Sequence, residues 1–197
     1  MIKKLFKKEW LSTFDNIEHF SNYNRIKKES LTSHSYKVTL FSILITEECF
    51  LEYSFTLSEK NEIMLFSIFH DFDEIFLLRD LDHHLKYNSF NGKELRDVLD
   101  KFVEHSVNKE LIDSPFQKKV SDIICKKDLS DLTKKVVKLS DWLSMFLYCK
   151  VEISMGNNVF VVPENYIKGK IFEHLESMRG YVSSHGFDVN YFNDILE

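Results

Sequence analysis

The sequence predicts an all-α protein, a single-domain helical bundle, and three observations carry that reading. Five glycines and two prolines in 197 residues leave little material for tight turns, hairpins or glycine-rich phosphate loops. Apolar residues recur at helical spacing over long runs, beginning with Leu5, Phe6, Trp10, Leu11, Phe14, Ile17 and Phe20. An apolar content of 44% with a formal net charge of −5 describes an ordinary globular chain, large enough for a real core. It lacks the basic excess that an extended nucleic-acid partner requires.

In chain order, Leu5 to Tyr23 predicts an opening amphipathic helix. Asn22 to Ser33 is polar and basic (Arg25, Lys27, Lys28) and predicts a loop, with Thr32 or Ser33 able to cap the next helix. His34 opens that helix, which runs to Tyr53 on Val38, Leu40, Phe41, Ile43, Leu44, Ile45 and Phe50, and Thr56 to Ser58 punctuate before the next. A largely apolar helix follows within Asn61 to Tyr87, then a loop with short helices up to Leu99. Leu95 to Val107 and Leu111 to Cys125 predict two further helices, separated around Ser114-Pro115. Leu132 to Met155 predicts a core helix stopped by Gly156-Asn157, and a last helix spans Asn165 to Ser183. The expected domain is the whole of 1–197, with its core at about 14–160 and the helix 165–183 packed on it.

Three cysteines, Cys49, Cys125 and Cys149, are widely spaced and form no CxxC pair, so neither a disulfide framework nor a zinc knuckle is expected and a reducing cytoplasm fits. Lys3, Lys4, Lys7 and Lys8 are not followed by the apolar core of a signal peptide. No window approaches a membrane span, and no membrane partner is expected.

The chemistry concentrates between Ile63 and Leu78. This run is almost continuously apolar, yet it contains His70, Asp71, Asp73 and Glu74. Burying such groups unpaired costs several kcal/mol unless they are neutralised, hydrogen-bonded or bound to a cation. On a helix His70 and Glu74 share a face, and Asp71 reaches the same cation from beside His70. The plain alternative is a helix whose His and acids emerge into solvent. Asp141 poses the same question within Leu132 to Met155, where it wants a partner and finds either Lys138, water at the helix edge, or a shared cation.

Together His34, the His70-Asp71 pair and Asp141 form an H…HD…D pattern that resembles the HD-domain phosphohydrolases. The flanking strings sharpen it: Ser33-His34-Ser35, Phe69-His70-Asp71-Phe72-Asp73-Glu74-Ile75, Asp80-Leu81, Leu85-Lys86-Tyr87, Asp141-Trp142-Leu143 and Gly156-Asn157. They are similar to the bacterial 5′-deoxynucleotidases and to viral HD enzymes that hydrolyse dNTPs, over roughly residues 14 to 160. The resemblance implies an HD-domain fold and one divalent metal held by His34, His70, Asp71 and Asp141. Mixed nitrogen and oxygen donors suit Mn, Co, Fe, Ni or Zn. It assigns acid/base catalysis to Glu74 and a site-ordering role to Asp80, although the segment before Asp80 is one residue longer here.

Relatives carry an Arg-Trp pair on the first helix, the Arg gripping phosphate and the Trp packing on the sugar. This chain has His19-Phe20 there, a titratable donor in place of a permanent cation, and Ser33 where relatives commonly have Glu. Arg25 and Lys86 are candidates for further substrate phosphate contacts, and His83 and His84 either touch substrate or are solvated loop residues. The function expected is a metal-dependent phosphohydrolase of deoxynucleotides, releasing inorganic phosphate from deoxynucleoside 5′-monophosphates. The alternatives are a dNTP triphosphohydrolase and, in another class, a non-hydrolytic nucleotide-binding protein. The intact set His34, His70, Asp71, Glu74 and Asp141 argues against the last. The resemblance further implies a homodimer in the cytoplasm, a host's cytoplasm if the chain is viral.

Overall fold

Helices make up the regular structure of the computed structural model, which describes residues 10–77, 92–110, 117–125 and 128–196. In order they are α1 (Trp10–Asn16), α2 (Leu31–Glu48), α3 (Leu57–Phe69), α4 (Glu74–Leu77), α5 (Gly92–Glu110), α6 (Gln117–Ile124), α7 (Asp131–Ser154), α8 (Val161–Ser177), α9 (Gly180–His185) and α10 (Asn193–Leu196). Short 3₁₀ segments stand at Asn158–Phe160 and Val189–Phe192. No strand occurs among the described residues, whose extended pairing is limited to two isolated antiparallel bridges, Glu18 with Ser30 and Phe50 with Phe187. No helix among them is long and apolar enough to cross a membrane. The expected all-α bundle is the observed fold.

The chain divides into two compact units. The first comprises residues 1–23, 28–35 and 69–129. Its core gathers Phe14, Ile17, Leu31, Phe72, Ile75, Val103, Val107 and Ile124, with Phe69 and Val120 packed against them. Phe72 lies between two rings, its centroid 5.7 Å from Phe14 and 5.1 Å from Phe69. The apolar faces of α5 and α6 contribute Val103, Val107 and Ile124, spaced as an amphipathic helix requires.

The second unit comprises residues 24–27, 36–68 and 130–197. It is built on α7, which buries Val136, Val137, Leu139, Trp142, Leu143, Phe146, Tyr148 and Cys149. Against it packs α8, whose buried residues Pro163, Ile167, Ile171 and Leu175 recur every four positions. Ser130 caps α7 by accepting from the Thr133 N–H at 2.9 Å. Gly156, at φ +92°, turns the chain out of it, as the sequence led us to expect. Three buried hydroxyls stitch helices together: Ser67 donates to Ser42 at 2.8 Å and Ser42 to Ser140 at 2.9 Å.

Several boundaries differ from expectation, and three of them have a plain local reason. The helix expected from Asn165 begins at Val161 with Pro163 inside its first turn, where no N–H has an intrahelical acceptor and proline removes nothing. It also stops at Ser177, so that the expected single helix is two, α8 and α9. The helix expected to reach Tyr23 ends at Asn16, because the next residues pair with 29–31 instead.

Glu152, fully buried on α7, is the densest polar node of the second unit. Its carboxylate accepts from the backbone N–H of Ile26 at 2.9 Å and of Lys27 at 2.6 Å, and from Asn157 Nδ2 at 2.6 Å. Tyr148 donates its hydroxyl to the Lys27 carbonyl, and Asn157 also donates to the Asn24 carbonyl at 2.8 Å. Burial pushes the Glu152 carboxyl up, but the donors of Ile26, Lys27 and Asn157 outweigh it and hold it below its ordinary 4.5. A depressed carboxylate stabilises the fold fully above its unfolded pKa and loses that contribution as pH falls through the folded one. Glu152→Gln is therefore expected to cost about 2 kcal/mol at neutral pH, since it removes charge-assisted bonds. Melting curves should show a Tm lower by roughly 4–8 °C. Below about pH 4.5 the gap from the parent should close progressively; a gap independent of pH would remove the charge from the explanation.

Candidate active site

After α1 the chain runs as an extended segment whose residues 17–19 lie antiparallel to 29–31. The His19 N–H donates to the Glu29 carbonyl at 2.8 Å and the Leu31 N–H to the Ile17 carbonyl at 2.9 Å. This register fixes Ser30, which caps α2: its hydroxyl accepts from the Ser33 N–H at 3.2 Å and its carbonyl from the His34 N–H at 2.9 Å. The cap is thus Ser30 rather than Thr32 or Ser33. The helix consequently starts before His34 and carries that residue, wholly buried, inside its first turn.

His70 and Asp71 do not lie on one continuous helix with Glu74, contrary to the sequence reading. Instead α3 ends at Phe69, residues 70–73 form a turn, and Glu74 opens α4. The backbone tightens through i→i+3 bonds, Phe72 N–H to Phe69 at 3.0 Å, Glu74 N–H to Asp71 at 3.0 Å and Ile75 N–H to Phe72 at 3.3 Å. Such a turn aligns residues three apart. Phe69, Phe72 and Ile75 therefore enter the same core, which is what favours the break over a regular helix.

The turn brings donors together within the first unit. His70 Nε2 lies 3.3 Å from His34 Nε2 and 3.0 Å from Asp71 Oδ2, and His34 Nε2 lies 3.8 Å from the same carboxylate oxygen. His34 and His70 are buried, Asp71 is half-buried, and Glu74, three residues on, is buried. A separation of 3.3 Å between two imidazole nitrogens suits a hydrogen bond and is also short enough for both to hold one cation. The donor chemistry, two imidazoles and a carboxylate, fits a divalent transition metal.

His19 is also buried here. Its Nδ1 lies 3.1 Å from Glu29 Oε2, and its ring stacks on that of His34 with centroids 4.0 Å apart and an interplanar angle of 23°. Phe20 meets His19 edge-on at 4.5 Å and adopts φ +54°, a conformation a bulky residue rarely takes.

In the second unit, Asp141 is buried on α7, with Oδ2 accepting from Lys138 Nζ at 2.8 Å, the local pairing the sequence offered as one possibility. The Lys138 ammonium also sits 4.2 Å from the centre of the Trp142 ring. Arg25 is half-buried in the loop that Glu152 organises. Asp80, His83, His84 and Lys86 lie outside the described residues. Glu29 and Glu152 went unnoticed in the sequence. Glu29 lies in a polar stretch without periodicity, and Glu152 is one more acid near a helix end; only their burial distinguishes them.

Residues 7–193 match the model of the 5′-deoxynucleotidase YfbR-like family. The chain is 24% identical over 164 residues to the 5′-deoxynucleotidase YfbR of Escherichia coli O127:H6, covering 82% of this chain and 79% of that one. It is 23% identical over 154 residues to a 5′-deoxynucleotidase of Erwinia tasmaniensis, covering 78% and 76% respectively. Among solved structures, an HD-domain phosphohydrolase from Listeria innocua superposes with a TM-score of 0.70 at 23% identity, over 93% of this chain and 86% of that one. The PH0347 protein from Pyrococcus horikoshii gives a TM-score of 0.62 at 14% identity, over 100% and 96%. The fold is therefore that of the HD-domain proteins, and the chain belongs to the YfbR-like 5′-deoxynucleotidase family.

Proposed function

We propose that this protein hydrolyses deoxynucleoside 5′-monophosphates to deoxynucleosides and inorganic phosphate with the help of one divalent metal. The observation that carries the reading is the convergence of His34, His70 and Asp71 at ligand spacing, beside a buried Glu74, in a member of a 5′-deoxynucleotidase family. His34, His70, Asp71 and Asp141 are the proposed metal ligands. Mn, Co, Fe, Ni and Zn all suit this mixed set. What such a cation supplies when bound is Lewis acidity at the phosphoryl oxygens and a lowered pKa for water.

The remaining steps fall to the side chains. A water oxygen forms the new bond to phosphorus as the bond to the sugar 5′-oxygen breaks; Glu74 delivers a proton to that departing oxygen, and the proton released by the water returns to the Glu74 carboxylate. Asp80 orders the site, and Arg25 and Lys86 are the proposed phosphate contacts. Phe20 is the proposed wall for the sugar. No disulfide joins Cys49, Cys125 and Cys149, which supports a reducing cytoplasm. Tyr36, Leu40 and Leu44 form an exposed apolar stripe on α2, which supports a homodimer.

Purified protein should carry close to one divalent metal per chain, and a chelator should abolish activity. Elemental analysis of Asp141→Ala checks the ligand set: full occupancy and full activity in that variant would falsify it. Glu74→Gln is expected to keep its metal and lose about 10²–10⁴ in kcat. Wild-type kcat in that variant would mean another group donates the proton. Incubation with mono- and triphosphates of each deoxynucleoside separates the readings, because orthophosphate from a monophosphate supports the proposal and tripolyphosphate from a dNTP supports the alternative.

A further inference from the structure

We propose that Glu29 and His19 are positioning residues that hold the ring plane of His34, so that its Nε2 stays aimed at the donors of His70 and Asp71. The inference rests on the proposed metal role of His34. All three residues belong to the first unit and are buried, and each link between them is observed. A carboxylate only accepts, so at 3.1 Å the Glu29 oxygen accepts a hydrogen bond from His19 Nδ1–H and favours that tautomer. The backbone holds the same two residues a second time, through the His19 N–H and the Glu29 carbonyl at 2.8 Å. Glu29 is thus not free to release the imidazole, and His19 is fixed in both position and ring orientation.

The His19 ring then lies face to face with His34 at 4.0 Å. Rotation of the His34 imidazole about its Cβ–Cγ bond would drive its edge into that face, so the stack limits the ring to the plane in which Nε2 meets His70 Nε2 at 3.3 Å. Donor atoms of His19, Glu29 and His34 also lie within 4.8 Å of one another, which raises a second cation site as an alternative. Stacking argues against it. Rings inclined by only 23° direct their in-plane lone pairs along nearly parallel planes and not toward one point. Outer groups that orient a ligating His typically change metal affinity by about 10–100-fold when removed.

The test uses the full chain and Co²⁺, with affinity measured by chelator competition and ligand geometry by the visible absorption of the bound ion. Glu29→Met should weaken Co²⁺ binding roughly 10–100-fold, and Glu29→Gln, whose side-chain oxygen still accepts from Nδ1–H, should restore most of it. The KM for nucleotide at saturating Co²⁺ should not move. Because Glu29→Met leaves a buried imidazole unpaired, the double variant His19→Phe with Glu29→Met keeps the ring packing and secures the fold while removing the anchor. It should show the same weakening. Unchanged affinity in both variants overturns the proposal, as does a raised KM with unchanged affinity, which would make His19 a phosphate contact. His34→Ala separates the two levels: if it binds Co²⁺ as tightly as the parent, the metal reading itself has failed.

Discussion

Placing imidazoles and carboxylates inside an apolar bundle is the constraint on which the first unit depends. His34 is wholly buried, and His19, Glu29, His70 and Glu74 are nearly so. Left unmatched, each such group costs on the order of a few kcal/mol, comparable with a sizeable part of a domain's net stability. Local structure around them is arranged to match them in pairs. The bridge of 17–19 with 29–31 joins His19 to Glu29, the Ser30 cap sets the depth of His34, and the turn at 70–73 carries His70 and Asp71 to His34 Nε2. Secondary structure here is irregular because the polar partners, more than the helix ladder, decide where the backbone goes.

The second unit solves the same problem by another chemistry. Glu152 is as buried as His34, yet three N–H donors converge on its carboxylate. That donor set is positive in character and suits an anion held for structure. Between His34 and His70 the situation is reversed. Two Nε2 atoms, each a donor or an acceptor according to tautomer, and a carboxylate oxygen face one another within 3.8 Å. A proton on one Nε2 bridges a single pair of these atoms, whereas a cation is able to hold all three at once. The contrast between these two buried clusters is the physical reason for reading one as a brace and the other as a site of chemistry.

Much of this was legible in the residues. The bundle followed from helical periodicity and from the scarcity of glycine and proline, and the cluster from His and acids set into an apolar run. What escaped the sequence were features decided by tertiary packing. The break after Phe69 arises because Phe69, Phe72 and Ile75 share a core that favours three-residue spacing, and periodicity over so short a run does not separate three from three and a half. Ser30 and Thr32 are equal as caps in isolation; the pairing of 29–31 with 17–19 selects the former. Glu29 and Glu152 differ from surface acids only in the backbone that folds over them.

Phe20 shows how far the neighbourhood of His19 is over-determined. A φ of +54° for an aromatic residue is strained by about 1–3 kcal/mol, and such strain persists only where surrounding contacts impose it. Here the preceding residue is pinned to Glu29 through both backbone and side chain, and the Phe20 carbonyl accepts from the Tyr23 N–H at 3.1 Å. Reversal of φ would withdraw the Phe20 ring from the edge of His19, where it stands at 4.5 Å, and expose an aromatic face that is now buried. The His19 imidazole is thereby confined by His34 on one face, by the Phe20 ring at its edge and by Glu29 at Nδ1. A guanidinium at the same position would need a longer reach and a second acceptor for its planar fork. The surroundings of His19 hold a planar ring in one orientation, on its face, at its edge and at Nδ1.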